Sequence, residues 1–131
     1  IDVSFPKGQA LSEWLVNVGA SPMPGQLAIR GAKLTVEAVL GTSQRWIYNT
    51  VPTSVQYFSF GAPVEMPTAQ CGKVVFSDLH VSQGSGAATD DDSDRNLPFP
   101  TGCRTTDLSP QEKALLFMLF DLSACIIPGI G

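Results

Sequence analysis

The sequence predicts an α/β or β-rich α+β fold, with a central sheet of about five strands and two main helices. Three observations predict this class. A helical stripe lies near the start, short β-type segments fill the rest of the first half, and the second half holds one strand, one long polar loop and one capped helix. We expect the last helix, residues 109–123, to lie buried against the sheet.

The length and composition favour one packed domain. The chain has 131 residues, of which 44% are hydrophobic and only 15% charged, whereas disordered chains have the opposite bias. The net charge is −4 and the eight basic residues are scattered, so we expect no nucleic-acid partner. No apolar run approaches the ~20 residues that span a bilayer, so we expect no membrane span. Because the chain begins with Ile1 and not with Met, we expect it to have been processed, trimmed or cut from something longer.

Helical and extended patterns follow one another in the first half. Apolar residues at helical spacing predict a helix over residues 9–18, with Gly19 as its C-terminal cap. Alternating apolar residues predict one or two strands over residues 27–38, broken at Gly31, and further strands over 45–48 and 54–60. The period of two places two sets of side chains on opposite faces of the last strand: Val55, Tyr57 and Ser59 on one, and Gln56, Phe58 and Phe60 on the other.

The strongest strand and the clearest helix lie in the second half. Residues 73–77 form a continuous β-branched and aromatic run, which is typical of a strand buried on both faces. Ser109 and Glu112 form a capping box with Pro110 at the first helical position. The helix body that follows is apolar on all sides, so it needs a sheet beneath it and another cover above. We expect the rest of a parent chain or a homo-oligomer to supply that cover.

Three cysteines leave one unpaired after any single disulfide bond. If the strand and the last helix run antiparallel, the strand start and the helix end share one edge, which makes Cys71 and Cys125 the best-placed pair. The last helix lies between Cys103 and Cys125 and separates them by about 20 Å along its axis, which disfavours a Cys103–Cys125 bond. A Cys71–Cys103 bond stays open. A Cys71–Cys125 bond would contribute ~4 kcal/mol in the chain-entropy model.

The only histidine, His80, follows the carboxyl end of the strongest strand. Asp78 lies two residues earlier, so on an extended chain the two side chains share a face. Because an aspartate can fix the tautomer of an imidazole, Asp78 and His80 are a candidate catalytic pair. Catalysis would also need a nucleophile or a metal, and the alternative is a hydrogen-bonded structural histidine at a strand end.

An acidic segment in the long polar loop suggests calcium. Four oxygen-bearing residues stand at alternate positions, which is how calcium loops begin: Asp90, Asp92, Asp94 and Asn96. The EF-hand pattern then fails, because Arg95 replaces the required Gly and Thr101 the bidentate Glu. A solvated acidic loop is the alternative. We expect no cofactor, and calcium is the one candidate ion.

Aromatic residues of the predicted strands suggest a carbohydrate site. Flat rings stack on sugar rings, and Trp46, Tyr48, Tyr57 and Phe58 could line such a face. The same residue types suit the core of a sheet, where aromatic residues are enriched. The sequence leaves both interpretations open.

Two motifs of the second half carry a family resemblance. They are Gly-Lys-Val-Val-Phe-Ser-Asp-Leu-His at residues 72–80 and Gln-Glu-Lys-Ala-Leu-Leu-Phe-Met-Leu-Phe at residues 111–120. This pair resembles the carboxyl-terminal part of the class I glutamine amidotransferase-like fold, in its trehalose-utilisation-type branch. The resemblance implies that His80 corresponds to the histidine of that family. It also implies that residues 1–131 are the C-terminal part of a longer, non-catalytic bacterial exported protein, because Cys71 precedes its strand and cannot be the nucleophilic cysteine of that family.

Together these observations predict a non-catalytic globular module that binds a carbohydrate or a protein partner. Few lysines and many Ser, Thr and Gly residues favour an exported protein, located extracellularly, in the periplasm or on the cell surface. Two alternatives stay open. One is a degenerate or partial amidotransferase-like hydrolase with His80 and Asp78 in its site, and the other is a calcium-stabilised structural domain.

Overall fold

A computed structural model describes residues 1–79 and 107–124 of the chain. In chain order they form helix α1 (Pro6–Asn17), strands β1 (Gln44–Thr50), β2 (Thr53–Ala62) and β3 (Gly72–Ser77), and helix α2 (Pro110–Ala124). The fold is therefore α+β, with two helices and an antiparallel sheet in the order β1-β2-β3 among the described residues. Neither helix is long and apolar enough to cross a membrane.

The sheet is a meander with an irregular first pair. β1 and β2 shift register at Trp46 and again at Gln56, because Arg45 pairs with Phe58, Ile47 with Tyr57 and Tyr48 with Val55. The β2–β3 ladder is regular, with Tyr57 opposite Ser77 and Phe58 opposite Phe76. A β-bulge gives one strand an extra residue, so the two shifts leave Trp46 and Gln56 without a cross-strand partner in this pair.

The predicted sheet of about five strands is not seen in the described residues, since the strands expected over 27–38 are absent. A strand needs a continuous ladder of backbone bonds, and this segment makes separate contacts instead. The Val36 carbonyl accepts from the Val55 amide, and the Lys33 carbonyl accepts from the Gln56 side chain. Gln111 bonds both the amide and the carbonyl of Arg30. The alternating apolar pattern therefore marks a packed irregular segment rather than a strand.

Helix α1 begins at Pro6, three residues before the predicted start, and its end confirms the predicted cap. Gly19 has φ of 68°, which suits glycine, and its amide donates to the Val16 carbonyl. The next amide, of Ala20, donates to the Leu15 carbonyl. These two bonds form a Schellman motif, which satisfies carbonyls that the end of the helix would otherwise leave unpaired.

Helix α2 confirms the capping box, and within the described residues one face of the helix is buried. The Ser109 amide donates to Glu112 at 2.6 Å, and the Glu112 amide donates to the Ser109 hydroxyl at 3.2 Å. The buried face of the helix carries Gln111, Ala114, Met118 and Asp121. Leu119 and Phe120 lie 53% and 62% exposed on the opposite side. The described residues therefore cover one face of α2.

Strand β3 is also less buried than the sequence predicts. It is an edge strand in the described sheet, and its central side chains alternate between half-buried and exposed. Val74 and Phe76 are 40% and 37% exposed. The continuous apolar run had indicated a central strand with two covered faces, whereas only the face that carries Val75 packs on the core.

The core lies between the two helices and one face of the sheet, which we call the inner face. It combines buried side chains from both helices and all three strand regions: Leu11, Leu15, Ala20, Trp46, Ile47, Tyr57, Leu79, Ala114 and Met118. Leu27 and Ile29 of the irregular segment pack against it. The opposite face of the sheet, the outer face, faces away from both helices.

Candidate functional site

Aromatic side chains gather on the outer face of β2 and β3. Phe58 pairs with Phe76 and Phe60 with Val74 across the ladder, so all four share one face. The Phe58 ring stacks on Phe76 with centroids 4.9 Å apart and on Phe60 at 6.2 Å. We call these four residues the outer aromatic patch. Its exposure at Val74 and Phe76 leaves apolar surface open to solvent.

The geometry of the stack limits what the patch can bind. The plane of the Phe58 ring lies within 25° of the Phe60 ring plane and 26° of the Phe76 ring plane, so two neighbouring rings already stack on Phe58. Side chains stand roughly perpendicular to a sheet, so the stack offers mainly ring edges to a ligand. A sugar that stacks on a flat ring face finds little such surface here, whereas an apolar side chain can pack on ring edges.

One charged residue borders the patch, and its charge is already compensated. Arg45 lies opposite Phe58 in the β1–β2 register, and its guanidinium carbon is 3.6 Å from the centroid of the Tyr48 ring. The same guanidinium forms an ion pair of 2.9 Å with Asp2. Burial raises the pKa of the Asp2 carboxyl, but hydrogen bonds from Ser4 and Arg45 outweigh this and lower it. Within the described residues, the charge of Arg45 at the border of the patch is therefore balanced by Asp2.

A polar cluster continues the outer face beyond the patch. The Gln56 amide nitrogen donates to the Lys33 carbonyl at 2.6 Å and to the Ser54 hydroxyl at 2.9 Å. Asn49 donates to the same hydroxyl at 3.2 Å. At the end of β3, the Thr35 hydroxyl donates to Asp78. Together with the bond from the Val55 amide to the Val36 carbonyl, these bonds hold residues 33–36 against this end of β2.

The structure buries two of the aromatic residues considered for sugar stacking. Trp46 is 1% exposed and Tyr57 is fully buried, both within the core. The Trp46 indole donates to Ser59 at 2.8 Å and packs edge-on against Phe5. This corresponds to the sheet-core alternative that the sequence left open. Tyr48 is half-buried, with Arg45 over one ring face.

Tyr57 is also the most perturbed phenol of the described residues. Burial raises the pKa of its hydroxyl, and the nearby Ser77 side chain opposes this in part. The hydroxyl has no regular hydrogen-bond partner among the described residues. Its surroundings are core side chains, so Tyr57 acts as a packing residue of the inner face.

Most residues of the predicted catalytic and calcium sites lie outside the described residues. Asp78 is half-buried and accepts from Thr35, but His80 is not described, so their pairing stays a prediction. The predicted calcium ligands Asp90, Asp92, Asp94 and Asn96 also lie outside the described residues. Within residues 1–79 and 107–124, no group of three His, Cys, Asp or Glu side chains could hold a metal ion.

The predicted disulfide bond is described at one end only. Cys71 is exposed just before β3, while Cys103 and Cys125 lie outside the described residues. The surrounding elements do have the antiparallel arrangement on which the prediction depends. Lys73 at the start of β3 forms an ion pair with Asp121 in the last turns of α2. The Cys71–Cys125 pairing stays a prediction.

Sequence reasoning missed the ion cluster that joins three elements. The Asp121 carboxylate is 7% exposed and pairs with Lys7 of α1 and Lys73 of β3, each at 2.5 Å. Burial raises the pKa of this carboxyl, but the hydrogen bonds from the two lysines outweigh it and lower the pKa. A single aspartate in an otherwise apolar helix body was the feature that could have revealed the cluster.

Comparisons of the chain with protein-family models, with curated proteins and with solved structures gave no match.

Proposed function

We propose that this chain is a non-catalytic module that binds an apolar, uncharged protein surface through the outer aromatic patch. One observation carries the proposal. Phe58, Phe60, Val74 and Phe76 form a contiguous apolar stack on the side of the sheet away from both helices, with Val74 and Phe76 open to solvent. Contiguous exposed apolar surface of this kind marks interaction sites in folded proteins.

The chemistry of the patch favours a protein over a carbohydrate. Sugar recognition needs open ring faces together with hydrogen-bonding groups, and here the central Phe58 ring already stacks against two other rings. The polar groups next to the patch are engaged, since Arg45 pairs with Asp2 and Asp78 accepts from Thr35. Aromatic residues are enriched at the centres of protein interfaces, where shape and apolar area supply the affinity.

The lack of ionisable groups in the patch favours some protein partners over others. None of its four side chains is ionisable, and the bordering Arg45 is neutralised by Asp2. A strongly acidic or basic partner would lose hydration on this surface without gaining a counter-charge. We therefore propose an apolar partner segment with small polar residues at its rim. Export of the protein, and the relation to the amidotransferase-like fold, are separate proposals that rest on composition and on the motifs of the second half.

The test is peptide selection followed by mapping of the bound surface. A random peptide library is selected on the immobilised chain, and the enriched peptides are titrated into isotope-labelled protein by NMR. We expect enriched peptides to be apolar and to shift the aromatic resonances of Phe58, Phe60 and Phe76. Phe76→Ser should weaken binding by about tenfold or more, since interface aromatic residues often contribute ~2 kcal/mol.

The matched control is Phe120→Ser, which removes an exposed apolar residue of α2 on the other side of the molecule. It should leave the affinity unchanged if the patch is the binding surface. Peptides whose shifts map to α2, and lose affinity in Phe120→Ser but not in Phe76→Ser, would refute the proposal. A parallel glycan array tests the other ligand class, because a glycan that shifts the same phenylalanine resonances would replace the protein partner with a carbohydrate.

A further inference from the structure

Gln56 is an unusual residue of β2, separate from the patch. It has no Cα partner on β1, because the register passes from Tyr57 directly to Val55. Its backbone carbonyl accepts from the Asp78 amide at 2.8 Å, and its side chain is fully buried. Bulged residues of this kind re-aim a side chain out of the regular alternation. Here the result is a long polar side chain held beneath residues 33–36.

Only the nitrogen atom of the Gln56 side-chain amide has hydrogen-bond partners among the described residues. Its nitrogen donates to the Lys33 carbonyl and the Ser54 hydroxyl, while its Oε1 has no partner among the described residues. The Ser54 hydroxyl, 1% exposed, accepts from both Gln56 and Asn49. Because these two bonds use its lone pairs, its own proton is left to donate. A buried acceptor and a buried donor therefore lie side by side.

We infer that Ser54 and Gln56 bind one buried water molecule, which accepts the Ser54 proton and donates to Gln56 Oε1. A buried carbonyl oxygen without a donor destabilises the folded state, and one bound water that donates to it removes that cost. Internal waters make about two to four hydrogen bonds and occupy polar sites. Asp78, which follows β3 and whose amide donates to the Gln56 carbonyl, is a candidate for a third bond. The water would tie β2 to residues 33–36.

The contrast with Tyr57 shows why the inference is specific to Gln56. The Tyr57 hydroxyl also lacks a hydrogen-bond partner among the described residues, but Tyr57 lies within the hydrophobic core. Apolar cavities stay dry, whereas a site with a donor and an acceptor in reach can hold a water. The chemistry of the surroundings therefore distinguishes two buried oxygens that are adjacent in the sequence.

Water–protein NMR exchange spectroscopy tests the inference on the whole chain. We expect a cross-peak of a long-lived water at the Gln56 side-chain amide protons, and its loss in Ser54→Ala. Ser123→Ala, which removes an exposed serine hydroxyl of α2, should retain the cross-peak. A crystal structure of the native chain provides a second measurement that needs no variant. It should show one oxygen within hydrogen-bond distance of both Ser54 Oγ and Gln56 Oε1.

Three results would overturn the inference. The first is an absent cross-peak in the native protein. The second is a cross-peak that persists in a folded Ser54→Ala variant. The third is crystallographic density that shows a protein donor, or a cation with several close oxygen ligands, at Gln56 Oε1. If Ser54→Ala does not fold, the native spectrum and the native density decide the question.

Discussion

Replacing Asp121 with asparagine removes the charge that joins α1, β3 and α2. The carboxylate is 7% exposed, and its partners Lys73 and Lys7 are 21% and 50% exposed. Removing one partner of a buried ion pair costs about 3–5 kcal/mol, because the other charge stays buried and unpaired. Lys7 can recover its hydration, so we expect the lower end of this range, about 3 kcal/mol. That is a large share of the ~5–15 kcal/mol that stabilises a typical domain.

Urea unfolding at about pH 7, followed by tryptophan fluorescence, measures this loss of unfolding free energy. Lys7→Met is the matched control, since an exposed partner contributes only ~1 kcal/mol or less. A second substitution, Lys73→Met, should restore part of the stability lost in Asp121→Asn, because it removes a mostly buried charge that has lost its ion pair with Asp121. A loss below about 1 kcal/mol in Asp121→Asn would refute the reasoning, since it would place the cluster among weak surface pairs.

The same variant should change the acid response of the protein. The folded pKa of Asp121 lies below its ordinary value of 3.8, because hydrogen bonds from Lys7 and Lys73 outweigh the opposing effect of burial. Such a group contributes stability that is fully present above 3.8 and is lost as pH falls through the folded pKa. Unfolding free energies measured at decreasing pH should therefore fall less steeply in Asp121→Asn than in the native chain. If the unfolding free energies of the two proteins fall equally steeply as the pH decreases, this prediction is wrong.

Three further predictions concern single sites. Tyr57→Phe should change the unfolding free energy by less than about 1 kcal/mol, because the lost hydroxyl has no hydrogen-bond partner among the described residues. Tyr57→Ala should cost about 3–5 kcal/mol, because it leaves a cavity in the core. A large loss of unfolding free energy in Tyr57→Phe, measured by urea unfolding, would reveal a hydrogen bond. Ser109→Ala should cost about 1 kcal/mol in the same assay through loss of the capping box, and an unchanged midpoint would contradict it. If Cys71 and Cys125 form the predicted disulfide bond, alkylation of the unreduced, denatured chain should label one cysteine by mass spectrometry, and labelling of all three would exclude any disulfide.

Local sequence chemistry was enough to predict several elements. The proline and the capping box fixed the start of α2, and Gly19 fixed the end of α1, because these depend on backbone bonds between neighbouring residues. The alternation in β2 also placed Tyr57 and Phe58 on opposite faces as observed. These predictions succeeded because each depends on residues a few positions apart.

The strands expected over residues 27–38 failed for a different reason. Leu27 and Ile29 do pack against the core, so their apolar pattern was real. The backbone of Arg30, however, bonds to the Gln111 side chain, which lies 81 residues away in the sequence. No local pattern can indicate that a distant amide side chain will take the bonds of a strand partner.

The aromatic residues of the candidate site were also predicted only in part from the sequence. The sequence placed Phe58 and Phe60 on one face of β2, and it named Trp46 and Tyr57 as either exposed or core aromatics. Only the tertiary structure decided which face the helices cover, which buried Trp46 and Tyr57 and left Phe58 and Phe76 on the open side. Period-two alternation defines two faces but does not say which one receives the helices.

The sequence by itself determined the helix caps, the opposite faces of Tyr57 and Phe58 in β2, and the presence of both helices and strands, but it left the α/β and α+β classes open. The tertiary structure decided that β3 is an edge strand, that Asp121 joins three elements, and that one aromatic face stays open. The physical reason is the sequence separation of the residues that interact. Caps and alternation follow from hydrogen bonds and geometry within a few residues, whereas burial and ion pairing depend on which distant segments meet, as Lys7 and Asp121 do across 114 positions.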